Sequence, residues 1–198
     1  MSDTDDQILA AFYETGAYLS GHFRLTSGLH SPQYLQCALV LQHPAHAERF
    51  GRLLASQLRE LAHGTAITAV VSPAIGGLII GHEVARALGV RFVFAERDAA
   101  GAMVLRRGFS VEPTDSVAVV EDVITTGGST REVVKLVVQA GARVVGAGSI
   151  MDRSGGTADV GVPRVALKTL EVVAFDPAHC PLCKAGSQAM KPGSRPAA

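Results

Sequence analysis

The sequence predicts an α/β protein built on a parallel β-sheet with helices on both faces. Three observations lead there. Short apolar runs rich in valine alternate with segments of helical spacing, the pattern of strand–helix–strand units. Two helical segments stop at Gly89 and Gly141, the residue type that most readily takes up the left-handed backbone past a helix end. At 117–129, Val-Ala-Val-Val-Glu-Asp-Val-Ile-Thr-Thr-Gly-Gly-Ser, an apolar run passes into acids, hydroxyls and glycines just before a helical pattern begins. In open α/β sheets, loops so placed at the carboxyl ends of strands carry the ligands.

Taken in order, residues 5–20 have helical spacing, with Ile8, Leu9, Phe12 and Tyr13 on one face. Residues 21–32 are rich in turn formers, and 34–41 reads as a strand. His43-Pro44 opens a helix to about Leu61 with a stripe of Phe50, Leu53, Leu54, Leu58 and Leu61. A short strand over 66–71 leads through Ser72-Pro73-Ala74-Ile75-Gly76-Gly77 into a helix over 78–88, and 91–95 is the next strand. Residues 96–113 are charged and aperiodic, a long loop or flexible hairpin. The strand at 117–120 is followed by a helix to about Ala140, in which Ser129 and Glu132 stand at capping-box spacing. Strands over 143–151 and 165–173 follow, and the tail after Asp176 is rich in Pro, Gly, Ser and Lys. No repeat or linker divides the chain, so residues 1–198 read as one domain.

Composition narrows the function classes. The 198 residues are 47% hydrophobic, enough for a packed core, and the formal net charge is zero. Such a balance points away from nucleic acid or an anionic membrane as main partner. No apolar run approaches the roughly 20 residues of a membrane span. The acidic start, Met-Ser-Asp-Thr-Asp-Asp, is unlike a secretory signal, so a cytoplasmic location is expected. Three cysteines, Cys37, Cys180 and Cys183, do not make a disulfide framework. Cys180-Pro-Leu-Cys183, preceded by His179, is half of a zinc ligand set with no second Cys pair; ordinary thiols in a packed turn are the expectation.

The loop at 121–129 offers two kinds of chemistry. Backbone N–H groups and hydroxyls suit a phosphate. Glu121 and Asp122 suit sugar hydroxyls or a Mg²⁺ ion. Both in one loop point to a ribose phosphate. The segment resembles the phosphoribosyl-pyrophosphate (PRPP) signature of type I phosphoribosyltransferases. The resemblance implies that Glu121 and Asp122 hold the ribose hydroxyls, and that Thr125, Thr126, Gly127, Gly128 and Ser129 wrap the 5′-phosphate, with Val123 and Ile124 completing the PRPP segment. The loop with Ser72, Ala74 and Gly76 mirrors it in position and is implied to take the pyrophosphate. Mg²⁺ is implied as cofactor, bound mainly through PRPP, with Glu121 and Asp122 as protein carboxylates.

Residues 21–36 resemble the N-terminal segment of orotate phosphoribosyltransferases, with Gly21, Phe23, Leu25, Ser27, Gly28, Ser31 and Pro32 matching a Gly-x-Phe-x-Leu-x-Ser-Gly-x-x-Ser-Pro pattern. This segment is implied to form, with late strands, a small hood over the base. The Asp152-Arg153 pair matches the one that contacts orotate in that family; a guanidinium suits a carboxylate because it offers paired donors. Thr26 and Thr125 are implied as further orotate contacts. Residues 96–113, with Arg97, Arg106 and Arg107, resemble the family's mobile catalytic loop, which closes over PRPP, usually across a homodimer interface. The family's usual lysines are absent: Thr26 stands at one such position, no lysine lies near Gly76, and Ala99 to Ala102 replace basic lid residues. The first of only four lysines is Lys135, against fourteen arginines. Arg97, and Arg106 or Arg107, are the candidates to replace them.

The resemblance thus implies a five-stranded parallel sheet with a hood, and transfer of ribose 5-phosphate from PRPP to orotate, giving orotidine 5′-monophosphate and pyrophosphate in pyrimidine synthesis. Asp122, Arg97, Arg106 and Arg107 are the implied catalytic groups. A purine or xanthine phosphoribosyltransferase, or a non-catalytic PRPP- or nucleotide-sensing regulator on the same fold, are the alternatives.

Overall fold

The structure, a computed structural model, describes residues 3–25, 27–171 and 173–191. Its centre is a six-stranded sheet. Five strands are parallel: β3 (Ala69–Pro73), β4 (Arg91–Arg97), β6 (Ser116–Ile124), β7 (Arg143–Asp152) and β8 (Arg164–Thr169). The short β5 (Met103–Leu105) adds an antiparallel edge on β4, and the order across the sheet is β5-β4-β3-β6-β7-β8. The five expected parallel strands are present; the sixth lies within the stretch expected to be irregular. There, Met103, Leu105 and Phe109 pack partly against the core, giving the hairpin a hydrophobic anchor that its charges obscure in the sequence.

Alternation along the strands distributes the core to both faces, because successive strand side chains point opposite ways. Val70, Ala118 and Val120 face one cluster, with Phe50, Leu54 and Leu58 of α3 (Pro44–Leu61) and Ile80 and Val84 of α4 (Gly77–Leu88). Ala69, Val71, Val117 and Val119 face the other, with Val133, Val134 and Val137 of α5 (Gly128–Gln139). α4 closes at Gly89 with φ +74°, as its sequence implies.

The N-terminal part differs from its reading. α1 (Asp3–Glu14) is shorter than 5–20, and residues 18–24 and 30–35, read mostly as helix end and turns, form an antiparallel hairpin, β1 (Tyr18–Arg24) and β2 (His30–Leu35). α2 (Cys37–Leu41) replaces the second half of the strand expected over 34–41; its Val40 and Leu41 are buried against the helical layer. An apolar run this short satisfies a strand or a helix equally, and tertiary burial decides. The tail docks on the hairpin. Met190 N–H donates to His22 O and Arg24 N–H to Met190 O, while His30 and Phe175 exchange backbone bonds of 2.9 and 2.8 Å. A short 3₁₀ turn (Pro177–His179) and α6 (Pro181–Lys184) lie between these two contacts. Hairpin and tail together make the hood.

Candidate active site

From β3 the chain runs outward to β4 and β5 on one side, then crosses to β6 on the other and continues outward to β7 and β8, so strand order reverses between β3 and β6. The crevice outside the carboxyl ends of such strands is where open α/β sheets place ligands. A cavity of about 480 Å³ opens there. Three strand ends supply four of its charged groups: Arg97 from β4, Glu121 and Asp122 from β6, and Arg153 just past β7; Glu132 comes from α5. Cations therefore flank a central pair of carboxylates.

The pair is a high-energy arrangement. Glu121 is only 8% exposed. Burial, then the neighbouring Asp122 charge, push its carboxyl well above the ordinary range; burial also raises Asp122, whose carboxylate accepts a hydrogen bond from the protonated Glu121 carboxyl. Among the described residues no Arg or Lys pairs with either acid. The site is thus short of donors or of positive charge, which sugar hydroxyls or a hard cation would supply. Asp122 Oδ1 accepts from Val123 N–H at 2.8 Å, which fixes its direction.

The phosphate cradle follows at once. Gly127 caps α5 with φ +76° and no side-chain cap; the Ser129–Glu132 capping box does not form, because the helix already starts at Gly128 and places Ser129 inside its first turn, and Glu132 pairs with Arg97 at 2.8 Å. Thr125, Thr126, Gly127, Gly128, Ser129 and Thr130 line the cavity around the first N–H groups of the helix, which have no intrahelical acceptors. Val123 and Ile124 also line it, although the Ile124 side chain points into the core.

The second loop contributes differently from its reading. Ser72 is fully buried in β3, its hydroxyl packed beneath α4 near Gly81, so it does not face the cavity. Ala74 donates its N–H to Ala95 O and is joined to the exposed Ile75 by a cis peptide bond. Gly76 lies directly behind Asp122: a Cβ there would sit 2.6 Å from Asp122 Oδ1. The loop buttresses the acid as well as offering the N-terminus of α4.

On the base side, Arg153 donates its backbone N–H to Ile124 O at 2.8 Å, and its guanidinium lies 5.7 Å over the Tyr34 ring. Its Nε is buried with no hydrogen-bond partner, and burial lowers its pKa. Among the described residues no carboxylate pairs with it. Its neighbour Asp152 serves the scaffold. It pairs with Arg164 at 2.6 Å and accepts from Ser154 and Gly156; these bonds outweigh its burial and hold its pKa below the usual range.

Arg106 and Arg107 do not reach the cavity of their own chain. Arg106 is exposed on the β5 side, and Arg107 is held by Glu96 at 2.7 Å and lies over Phe94. Only Arg97 of the expected lid cations lines the site. Thr26 lies outside the described residues. Tyr34, Cys37 and Glu132 line the cavity without having been singled out for it. The Cys37 thiol is pushed well up by burial and by Asp122 and Glu121. Nothing in the sequence marks Cys37, whose apolar neighbours Ala38, Leu39 and Val40 make it look like core.

An acid pair at a strand end, a helix-start phosphate cradle and flanking arginines define a sugar-phosphate transferase site. The family model described as Phosphoribosyl transferase domain matches residues 38–180, and the chain belongs to that family. It is 58% identical to the orotate phosphoribosyltransferase of Pelotomaculum thermopropionicum over 97% of this chain and 98% of that one. It is 50% identical to the orotate phosphoribosyltransferase of Thermotoga maritima, over 92% and 95%. Among solved structures, the orotate phosphoribosyltransferase of Aeropyrum pernix superposes with a TM-score of 0.67 at 24% identity, over 83% of this chain and 94% of that one, a likeness of fold. A phosphoribosyltransferase from Corynebacterium diphtheriae gives 0.66 at 29% identity, over 86% and 98%.

Proposed function

We propose that this cavity transfers ribose 5-phosphate from PRPP to orotate, releasing pyrophosphate and orotidine 5′-monophosphate, the activity named for the curated relatives. The observation that carries the choice of base is Arg153, a half-buried guanidinium in the cavity wall with no carboxylate partner among the described residues. An unpaired buried cation is costly unless a ligand satisfies it. Orotate brings a carboxylate, and adenine and other purine bases do not.

Strand order supports the following roles. Arg97 and Arg153 stand three strand positions apart, on β4 and β7, with the acids on β6 between them. At about 4.8 Å per strand this spans roughly 14 Å. The 5′-phosphate sits on the N–H groups of 125–130, and the ribose hydroxyls donate to Glu121 and Asp122. The anomeric carbon then lies between the two arginines. As its bond to pyrophosphate breaks, positive charge grows on the ribose beside the carboxylates, while negative charge grows on pyrophosphate beside Arg97 and the N-terminus of α4. Orotate, held by Arg153, attacks from the other side through its ring nitrogen. Alignment of two anions on one sugar is the main task of the protein.

Hard oxygen donors in a donor-poor pair fit Mg²⁺, which would be held mainly through PRPP, with Glu121 and Asp122 as the protein carboxylates beside it. When bound, Mg²⁺ neutralises pyrophosphate charge. We further place the protein in the cytoplasm as a homodimer, in which the 96–113 hairpin of a second copy brings Arg106 or Arg107 over the leaving group. No helix among the described residues is long and apolar enough to cross a membrane.

The test is absorbance at the orotate band after mixing protein, orotate, PRPP and Mg²⁺. PRPP-dependent loss with orotidine monophosphate formed is the expected result. Turnover of adenine or xanthine instead, or PRPP binding without turnover, would overturn it.

A further inference from the structure

Four potential metal ligands from opposite ends of the chain converge within the hood. His22 (β1), His30 (β2), Cys180 and Cys183 (on either side of the start of α6) place their ligand atoms within 4.8 Å of one another. His22 Nε2 lies 2.9 Å from His30 Nδ1, 3.5 Å from Cys180 Sγ and 3.8 Å from Cys183 Sγ; Cys183 Sγ lies 3.3 Å from His30 Nδ1. Zinc bonds of about 2.3 Å to sulfur and 2.0–2.1 Å to nitrogen give tetrahedral edges of about 3.3 Å between nitrogens and about 3.6 Å between nitrogen and sulfur. These four edges lie within about 0.4 Å of those values.

We propose that this cluster is a structural zinc site of the Cys₂His₂ type. Burial supports it: His22, His30 and Cys180 are 4%, 7% and 1% exposed. Two histidines and the Cys180 thiol, buried beside the more exposed Cys183, gain little from one another, whereas two thiolates and two neutral imidazoles around Zn²⁺ make a neutral complex. Binding displaces both thiol protons to solvent. The outer contacts fit as well. His22 Nδ1 lies 3.1 Å from Ser187 O, so its N–H donates there and leaves the Nε2 lone pair for the metal. Four protein ligands close the coordination sphere, which is the mark of a structural rather than a catalytic zinc.

The position gives the metal a task. A two-stranded hairpin is marginal alone. The site clips the tail to β1 and β2; Tyr34 and Leu35 of β2, with Leu25 and Ser27 of the loop between the strands, form part of the cavity wall. His179, beside the Cys pair in sequence, is exposed, lies 3.8 Å from Asp176 and takes no part.

The test uses the full-length protein, produced without a polyhistidine tag. Elemental analysis should find about one equivalent of zinc per chain. Replacement by Co²⁺ should give the visible spectrum of tetrahedral cobalt with thiolate charge-transfer bands. Cys180→Ser with Cys183→Ser should abolish binding, and Cys37→Ser should retain it. Removing zinc with a chelator should lower Tm. Should the double variant not fold, the cobalt spectrum of the wild type decides. Failure to bind stoichiometric zinc on reconstitution, an octahedral cobalt spectrum, or an intact mass showing a Cys180–Cys183 disulfide would overturn the proposal.

Discussion

Gly76→Ala tests the buttress behind the acid pair. A Cβ at residue 76 would lie 2.6 Å from Asp122 Oδ1 and 2.9 Å from its Cγ, against an ordinary contact of 3.4 Å or more. The carboxylate and the 74–76 loop must therefore separate by about 0.8 Å. Asp122 has little freedom to turn aside, because Oδ1 is tied to Val123 N–H. Overpacking of this kind costs about 1–3 kcal/mol of stability, and a 1 Å misplacement at a reacting centre costs about 10²-fold in rate. The expected result is a folded protein with kcat lowered 30- to 300-fold, in line with that rule. Steady-state kinetics with orotate and PRPP, beside urea unfolding, give both quantities. A cycle with Asp122→Asn sharpens the test: if both changes act through one carboxylate, the double variant loses little more than the worse single one. Activity within twofold of wild type, or additive losses, would refute the buttress.

Glu121→Gln should stabilise the ligand-free protein and weaken PRPP binding. Because the Glu121 pKa is raised in the fold, its stabilising contribution is present below the ordinary glutamate value near 4.5 and is lost as pH rises toward the raised value. Thermal melts across that window should therefore fall with pH in wild type and fall less in the variant; parallel curves would sink the assignment. Arg153→Met should raise the KM for orotate about 10- to 100-fold, the worth of a charge-assisted hydrogen bond, with a smaller change for PRPP. Equal changes in both constants would place Arg153 elsewhere in the mechanism. Gly127→Ala combines a left-handed backbone at φ +76° with a Cβ 2.8 Å from Val160 Cγ1, and should cost about 2–4 kcal/mol in urea unfolding. A loss under 1 kcal/mol would mean that the loop relaxes freely.

Local order in the chain was enough for the parallel strands, α3 to α5, and the acid pair with its cradle. Each of these rests on neighbouring residues: valine runs bury on both faces of a sheet, glycines end helices, and the ligand loop follows its strand directly. What only the tertiary structure decided depends on residues far apart. The hairpin at 18–35 stands because residues 173–190 pair with it, a partner some 150 positions away. Ser72 turned inward and Gly76 became a buttress because α4 and β6 pack on either side of their loop. Glu132, spaced for a helix cap, serves Arg97 across the cavity mouth. Cys180 and Cys183 showed half a ligand set in sequence, and the other half lay in the two strands of the hood. Periodicity reports which face of an element is buried; it carries no record of which distant side chain meets it there, and the chemistry of this protein lies in those meetings.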